Sequence, residues 1–143
     1  MSHIERLDRI HDSYRRLPLW MRLWILLVLI PVNAAGFFML HTASGHAVAW
    51  ASAFVMATNG LTLWRYASLN RALALPHLLA WVPLQAALVA RLIGGWGPDA
   101  LEWDEWLLAV MVVMVNSVAL FFDTVASWRW WRDRRVNLAA DGL

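Results

Sequence analysis

The chain has 143 residues, of which 61% are hydrophobic and 15% are charged, and its formal net charge is +2. A typical soluble domain is about 45–50% apolar and about 25% charged, so this composition indicates a protein that lies mostly in lipid. The absence of cysteine excludes disulfides, thiolate zinc sites and thiol nucleophiles. The small net charge excludes a surface that binds nucleic acid.

Residues 1–18 are predicted to form a short amphipathic helix. Ile4, Leu7 and Leu17 recur at helical spacing, and charged residues occupy the opposite face. This pattern has two interpretations: a helix lying on the membrane surface, or a short cytoplasmic helix packed on the end of a bundle. The apolar run that follows exceeds the about 7–15 residues of a signal-peptide core, so we expect a retained span rather than a leader.

Four apolar segments follow, each near the length of about 20 residues that a helix needs to cross about 30 Å of hydrocarbon. Their short connections predict antiparallel neighbours. The expected fold is therefore an all-α integral membrane protein with four transmembrane helices in an up-down-up-down bundle. The predicted transmembrane domain covers residues 19–126, with spans at about 19–40, 47–64, 76–93 and 106–126, and an Arg- and Trp-rich cytoplasmic tail at 127–143.

The arginines predict the orientation of these spans. All twelve basic residues are arginine, and eleven of them lie near the ends that the two termini share, whereas Arg91 lies near the opposite, acidic side. The positive-inside rule therefore places both termini in the cytoplasm and the protein in the inner membrane. Ten of the eleven tryptophans fall at the two predicted boundaries, which is typical of an aromatic belt; a cage for a quaternary ammonium ligand is the alternative.

Each predicted span contains one side-chain amide, and together these are Asn33, Asn59, Gln85 and Asn116. Such groups turn away from lipid and form hydrogen bonds between helices that contribute roughly 0.6–2 kcal/mol each. They indicate either polar contacts that set the register of the helices or a hydrated path through the bundle. The first interpretation is favoured because amides do not exchange protons.

Small residues predict where the helices approach one another closely. Ala49, Ala53 and Ala57 recur every fourth residue in the second span, and Ala86 and Ala90 do so in the third. Close approach of small residues drives helix association in lipid. We therefore predict that these two ridges meet, or that one of them meets another copy of the chain.

Two sets of ionisable residues are candidate sites. Asp123 lies near the inner end of the fourth span at about the depth of Arg65, so we predict an Asp123–Arg65 ion pair, with a protonatable carrier site as the alternative. His41 and His46 lie beside the acidic loop and are the candidates for a divalent-cation site, although their spacing matches no defined motif. His41 and His77 lie at opposite ends, which excludes a haem between them, and no cofactor is predicted.

The sequence contains no nucleophile elbow, phosphate-binding loop or H-E-x-x-H motif. The predicted function is therefore a non-catalytic accessory or assembly subunit of a membrane complex. The alternative is a small transporter or channel for an ion or polar solute, acting as a homo-oligomer because four helices alone enclose little room. A membrane-bound enzyme comes third. The expected partners are the lipid bilayer and either another membrane protein or a second copy of the chain.

Overall fold

The computed structural model describes residues 3–69, 73–97 and 100–140, and every regular element within these ranges is helical. Four helices are long and apolar enough to cross a membrane, which confirms the all-α class and the number of apolar helices. They are named here in chain order: the first apolar helix Leu19–Phe38, the second Ala43–Tyr66, the third Ala74–Leu92 and the fourth Trp103–Ala140. A further helix, His3–Arg15, precedes them.

The first apolar helix changes its winding around Pro31. It consists of an α-helix at Leu19–Trp24, a π-helical turn at Ile25–Leu29, an α-helix at Ile30–Ala34 and a 3₁₀ turn at Ala35–Phe38. Proline has no N–H to donate to the preceding turn, and its ring collides with the carbonyl four residues earlier. The turn before Pro31 is therefore wider, and the Ile30 N–H donates to the Ile25 carbonyl, five residues back.

The second and fourth apolar helices extend beyond their predicted spans. The second begins at Ala43 because Thr42 caps it, its Oγ1 accepting a hydrogen bond from the Gly45 N–H at 2.9 Å. It ends where Ala67 adopts a left-handed conformation with φ of 49°. The fourth helix continues to Ala140 and so includes most of the predicted tail, of which residues 141–143 lie outside the described residues.

The hydrophobic core lies between the second, third and fourth apolar helices. The third and fourth helices run in opposite directions, because His77 contacts Asp123 near one end of the bundle and Arg91 contacts Glu105 near the other. Apolar side chains fill the space between these contacts. The core consists of Val48, Val55, Trp81, Leu84, Leu88, Leu108, Ala109 and Val112.

The first apolar helix reaches this core through a glycine. A Cβ atom at Gly36 would lie 2.7 Å from Cγ1 of Val48 and 3.0 Å from the backbone nitrogen of Ala49, so only glycine permits this approach. Ala49 of the predicted ridge is buried here, whereas Ala57 and Ala86 are exposed. The Ala49 backbone therefore closely approaches the first helix at Gly36.

The helix His3–Arg15 contacts the end of the second apolar helix and has no buried residue. The Arg6 guanidinium lies 4.9 Å from the ring centroid of Trp64 and donates to the Trp64 carbonyl, and the His3 ring stacks on the same indole at 5.3 Å. Ile4 and Leu7 point away from the bundle and are 73% and 58% exposed. Polar and charged side chains therefore hold this helix against the second apolar helix, and the apolar side chains of Ile4 and Leu7 remain exposed.

Candidate functional site

A buried ion pair joins the third and fourth apolar helices at one end of the bundle. Arg91 and Glu105 are only 4% and 3% exposed. The guanidinium binds the carboxylate with two hydrogen bonds, Nε to Oε1 at 3.0 Å and Nη2 to Oε2 at 2.9 Å. This bidentate geometry is the strongest form of an Arg–carboxylate contact. We call these two residues and Ser44 the Arg91 cluster.

Ser44 completes the Arg91 cluster from the second apolar helix. Its backbone N–H and its hydroxyl donate to Oε1 of Glu105 at 2.9 and 2.8 Å. The Glu105 carboxylate thus lies at the positive N-terminal end of the second helix, where a negative charge is stabilised. With four hydrogen bonds accepted, this carboxylate fastens three helices together.

The glycine-rich loop after the third helix covers the Arg91 guanidinium. Arg91 Nη1 donates to the Trp96 carbonyl at 3.0 Å, and the Trp96 indole N–H donates to the Ala87 carbonyl. Gly97 has a φ of 100°, and a Cβ atom there would overlap the guanidinium. Arg91, which the sequence places near the acidic side, thus forms its ion pair with Glu105.

An open cavity of about 610 Å³ lies beside the Arg91 cluster. His41 and His46, the candidate metal ligands, both line it together with Glu102 and Asp104. His41 Nε2 lies 3.6 Å from Oδ2 of Asp104. The described residues contain no group of three or more side chains placed to hold a metal ion, so the geometry brings the two histidines to one cavity without assembling a ligand set.

Two of the four predicted amides form a reciprocal pair. Asn33 Nδ2 donates to Oδ1 of Asn116 at 2.7 Å, and Asn116 Nδ2 donates to Oδ1 of Asn33 at 3.0 Å. Asn116 is fully buried, and Asn33 also donates to the Leu29 carbonyl at 3.0 Å. The asparagine pair thus ties the first apolar helix to the fourth, as a contact that sets helix register would do.

Gln85 lies on an outward-facing groove between the third and fourth apolar helices. Its Nε2 donates to the Val113 carbonyl at 2.9 Å and to the Ser117 hydroxyl at 2.8 Å, whereas its Oε1 is buried and has no hydrogen-bond partner in the part of the chain described. Ser117 and Thr124 are exposed along the same groove. We call Gln85, Ser117 and Thr124 the polar groove.

At the end of the bundle opposite the Arg91 cluster, four residues form the His77 cluster: Asn59, His77, Trp81 and Asp123. His77 Nδ1 lies 2.9 Å from Oδ2 of Asp123, and His77 Nε2 lies 2.8 Å from Nδ2 of Asn59. The Trp81 indole stacks on the imidazole with ring centroids 4.3 Å apart and planes 6° from parallel. The side chains of His77 and Asp123 are 19% and 25% exposed.

The contacts of His77 occupy both of its ring nitrogens. Nε2 faces the Asn59 amide and Nδ1 faces the Asp123 carboxylate, each within hydrogen-bond distance. Both ring nitrogens are therefore occupied, and neither is left to activate a nucleophile. The Asp123 carboxylate still has an oxygen, Oδ1, without a hydrogen bond in the described part of the chain.

The partner of Asp123 is thus His77 and not the predicted Arg65. No ion pair joins Asp123 to Arg65 within the described residues, and Arg65 is exposed at the last turn of the second helix. His77 begins the third helix at the same depth and faces the fourth. One signal could have found it: His77 and Trp81 are four residues apart, so they share a helix face, and a buried tryptophan turns that face inward.

Apolar side chains separate the Arg91 cluster from the asparagine pair. Glu105 and Asn116 are eleven residues apart on one helix, which corresponds to about 16 Å. Between them, the fully or nearly buried side chains of Leu108 and Val112 pack against Leu88 and the rest of the core. The described residues therefore form no continuous polar route between these two sites.

Comparison with known proteins finds no protein family model, no curated protein and no solved structure that matches this chain.

Proposed function

We propose that this chain is a small multi-pass protein of the inner membrane and acts as a non-catalytic accessory or assembly subunit of a larger membrane complex. In this proposal the four apolar helices cross the bilayer in an up-down-up-down order with both termini in the cytoplasm. The eleven arginines near one side support that orientation. The exposed Ile4 and Leu7 support an amphipathic N-terminal helix whose apolar face enters the membrane surface.

The polar groove is the observation that carries the proposal. Polar side chains in membrane-spanning helices normally face the interior of a bundle or another protein, because lipid cannot satisfy their hydrogen bonds. Here the hydroxyl-bearing residues Ser117 and Thr124 are exposed within the apolar stretch of the fourth helix. A helix of a partner protein that forms hydrogen bonds with these two hydroxyl groups would cover the groove.

The alternative, a transporter or channel, requires more than one copy of the chain. The apolar core between the Arg91 cluster and the asparagine pair leaves no polar route inside one copy, within the described residues. A conducting path would have to run between copies, where the polar grooves could face one another. Both functions use the polar groove. In the alternative a second copy of the chain covers it, and in the accessory subunit a helix of a partner protein does.

Purification in mild detergent, followed by mass spectrometry of the co-eluting proteins, tests the proposal. We expect a stoichiometric partner with the unmodified chain and its loss with Thr124→Leu, because a larger side chain in the groove prevents close packing of a helix. Val118→Leu is the matched control, since Val118 is exposed on the same helix but does not line the groove. A clean homo-oligomer that conducts ions in vesicles would favour the alternative, and a monomer unaffected by Thr124→Leu would refute both.

The orientation has a separate test. A topology reporter fused after Leu143 should read cytoplasmic, and one inserted at Gly97 should read external. Reversed signals would refute the proposed orientation, and equal signals at both sites would refute the up-down-up-down order.

A further inference from the structure

A second cavity, of about 400 Å³, lies beside the His77 cluster and separates the first apolar helix from the fourth. Its walls are mostly apolar, and the first helix lines it with Trp20, Met21, Trp24, Ile25 and Leu29. The π-helical turn at Ile25–Leu29 borders it, and such turns often occur at functional sites. Three polar side chains reach it, those of His77, Asp123 and Arg129.

The chemical groups follow one another in a defined order along this cavity. Arg129 lies at the end of the bundle that the termini share, and Asp123 lies six residues closer to the centre, which is about 9 Å along the helix. The innermost lining residues, Leu29 and Ala119, are apolar and lie about one helical turn from the asparagine pair. From the end of the bundle inward, the cavity thus offers a cation, a carboxylate and an apolar wall.

Both polar groups have capacity for a ligand. The Arg129 guanidinium is exposed and forms no hydrogen bond or ion pair within the residues described, so it can bind an anion such as a phosphate. Asp123 uses Oδ2 for His77, which leaves Oδ1 to accept a hydrogen bond from a hydroxyl group. The structure therefore selects a ligand whose phosphate, hydroxyl and hydrocarbon chain follow in that order.

We propose that this cavity binds a single-chain phospholipid, a lysophospholipid, with its phosphate on Arg129, its free glycerol hydroxyl on Asp123 and its acyl chain along Ile25 and Leu29. The volume of 400 Å³ is near the lower end of the range of about 300–1,000 Å³ found for ligand cavities, and so suits one chain rather than two. A two-chain phospholipid carries an ester in place of the hydroxyl. Its oxygens would face the Asp123 carboxylate without a hydrogen to donate, which disfavours it.

The test compares two probes of equal chain length, a lysophosphatidylcholine and an alkylphosphocholine, which has the same phosphate group but no glycerol hydroxyl. Binding of each to the full chain is measured by native mass spectrometry from a non-ionic detergent, with a two-chain phosphatidylcholine as a third probe. We expect lysophosphatidylcholine to bind about tenfold more tightly than either of the others, because only its free hydroxyl group can donate a hydrogen bond to the Asp123 carboxylate.

Variants locate the site. Arg129→Gln should weaken binding of lysophosphatidylcholine and alkylphosphocholine alike, because both carry the phosphate. Arg65→Gln is the matched control, since Arg65 is an exposed arginine near the same end of the bundle but outside the cavity. Leu29→Trp should abolish binding of both by filling the cavity, with an unchanged helical circular dichroism spectrum showing that the chain has folded.

Two results would overturn the proposal. Equal affinity for all three probes would show that lipid fills the cavity without recognition of the hydroxyl. Equal affinity of the Arg129→Gln and Arg65→Gln variants for lysophosphatidylcholine would show that the phosphate does not bind at Arg129. Neither result depends on a partner protein, so this test is independent of the accessory function proposed above.

Discussion

Replacing Glu105 with glutamine should be among the most destabilising single changes in the chain. The substitution removes the charge that compensates Arg91, which is 4% exposed, and places an amide N–H₂ where Oε2 accepts from Nη2. Breaking a buried ion pair on one side costs about 3–5 kcal/mol. A chain of this size loses on the order of 10 °C in melting temperature for such a change. Thermal unfolding in mild detergent, followed by circular dichroism, measures it.

Matched variants separate the ion pair from a general effect of lost charge. Glu102→Gln removes an exposed acid near the start of the same helix and should leave the melting temperature unchanged. Arg91→Leu combined with Glu105→Leu should cost much less than the two single changes together, because no stranded charge remains. The two side chains do not form the buried pair if Glu105→Gln and Glu102→Gln have the same melting temperature. The same conclusion follows if the double variant loses as much stability as the two single variants together.

Two further predictions concern the contacts of the first apolar helix and use the same melting assay. Asn116→Leu removes both hydrogen bonds of the asparagine pair and should cost roughly 1–2 kcal/mol; an unchanged melting temperature would show that Asn33 finds an equivalent partner elsewhere. Gly36→Ala should lower the melting temperature, because the added methyl group would lie 2.7 Å from Val48. Gly60→Ala, with open space around it, should raise it slightly through better helix propensity, and the reverse order would contradict the packing described here.

The partner of Asp123 could be predicted only in part from the sequence. The position of Asp123 along the fourth helix follows from counting residues at a rise of about 1.5 Å each, and this indicates a partner at the matching level of a neighbouring helix. Arg65 and His77 both satisfy that condition. The choice between them depends on how each helix is rotated about its axis, and the structure places His77 2.9 Å from the carboxylate.

The sequence by itself determined the class of the protein and the number of its apolar helices. Both depend on composition and on the length of apolar runs, which are local properties. They suffice because a helix that crosses lipid must be apolar and about 20 residues long. The sequence also places Arg91 near the acidic side, from which its partner Glu105 comes. Even the extra length of the second helix has a local cause, the Thr42 cap.

Only the tertiary structure decided which polar groups meet. Asn33 pairs with Asn116 across 83 positions, and Ser44 reaches Glu105 across 61. Periodicity gives the side chains that share a face of one helix, but not which helix lies opposite that face. Gly36 illustrates the same limit, because its role depends on Val48 of a different helix. The neighbours of a helix and its rotation about its axis are set when all the helices pack together. The sequence of a single segment therefore does not specify them.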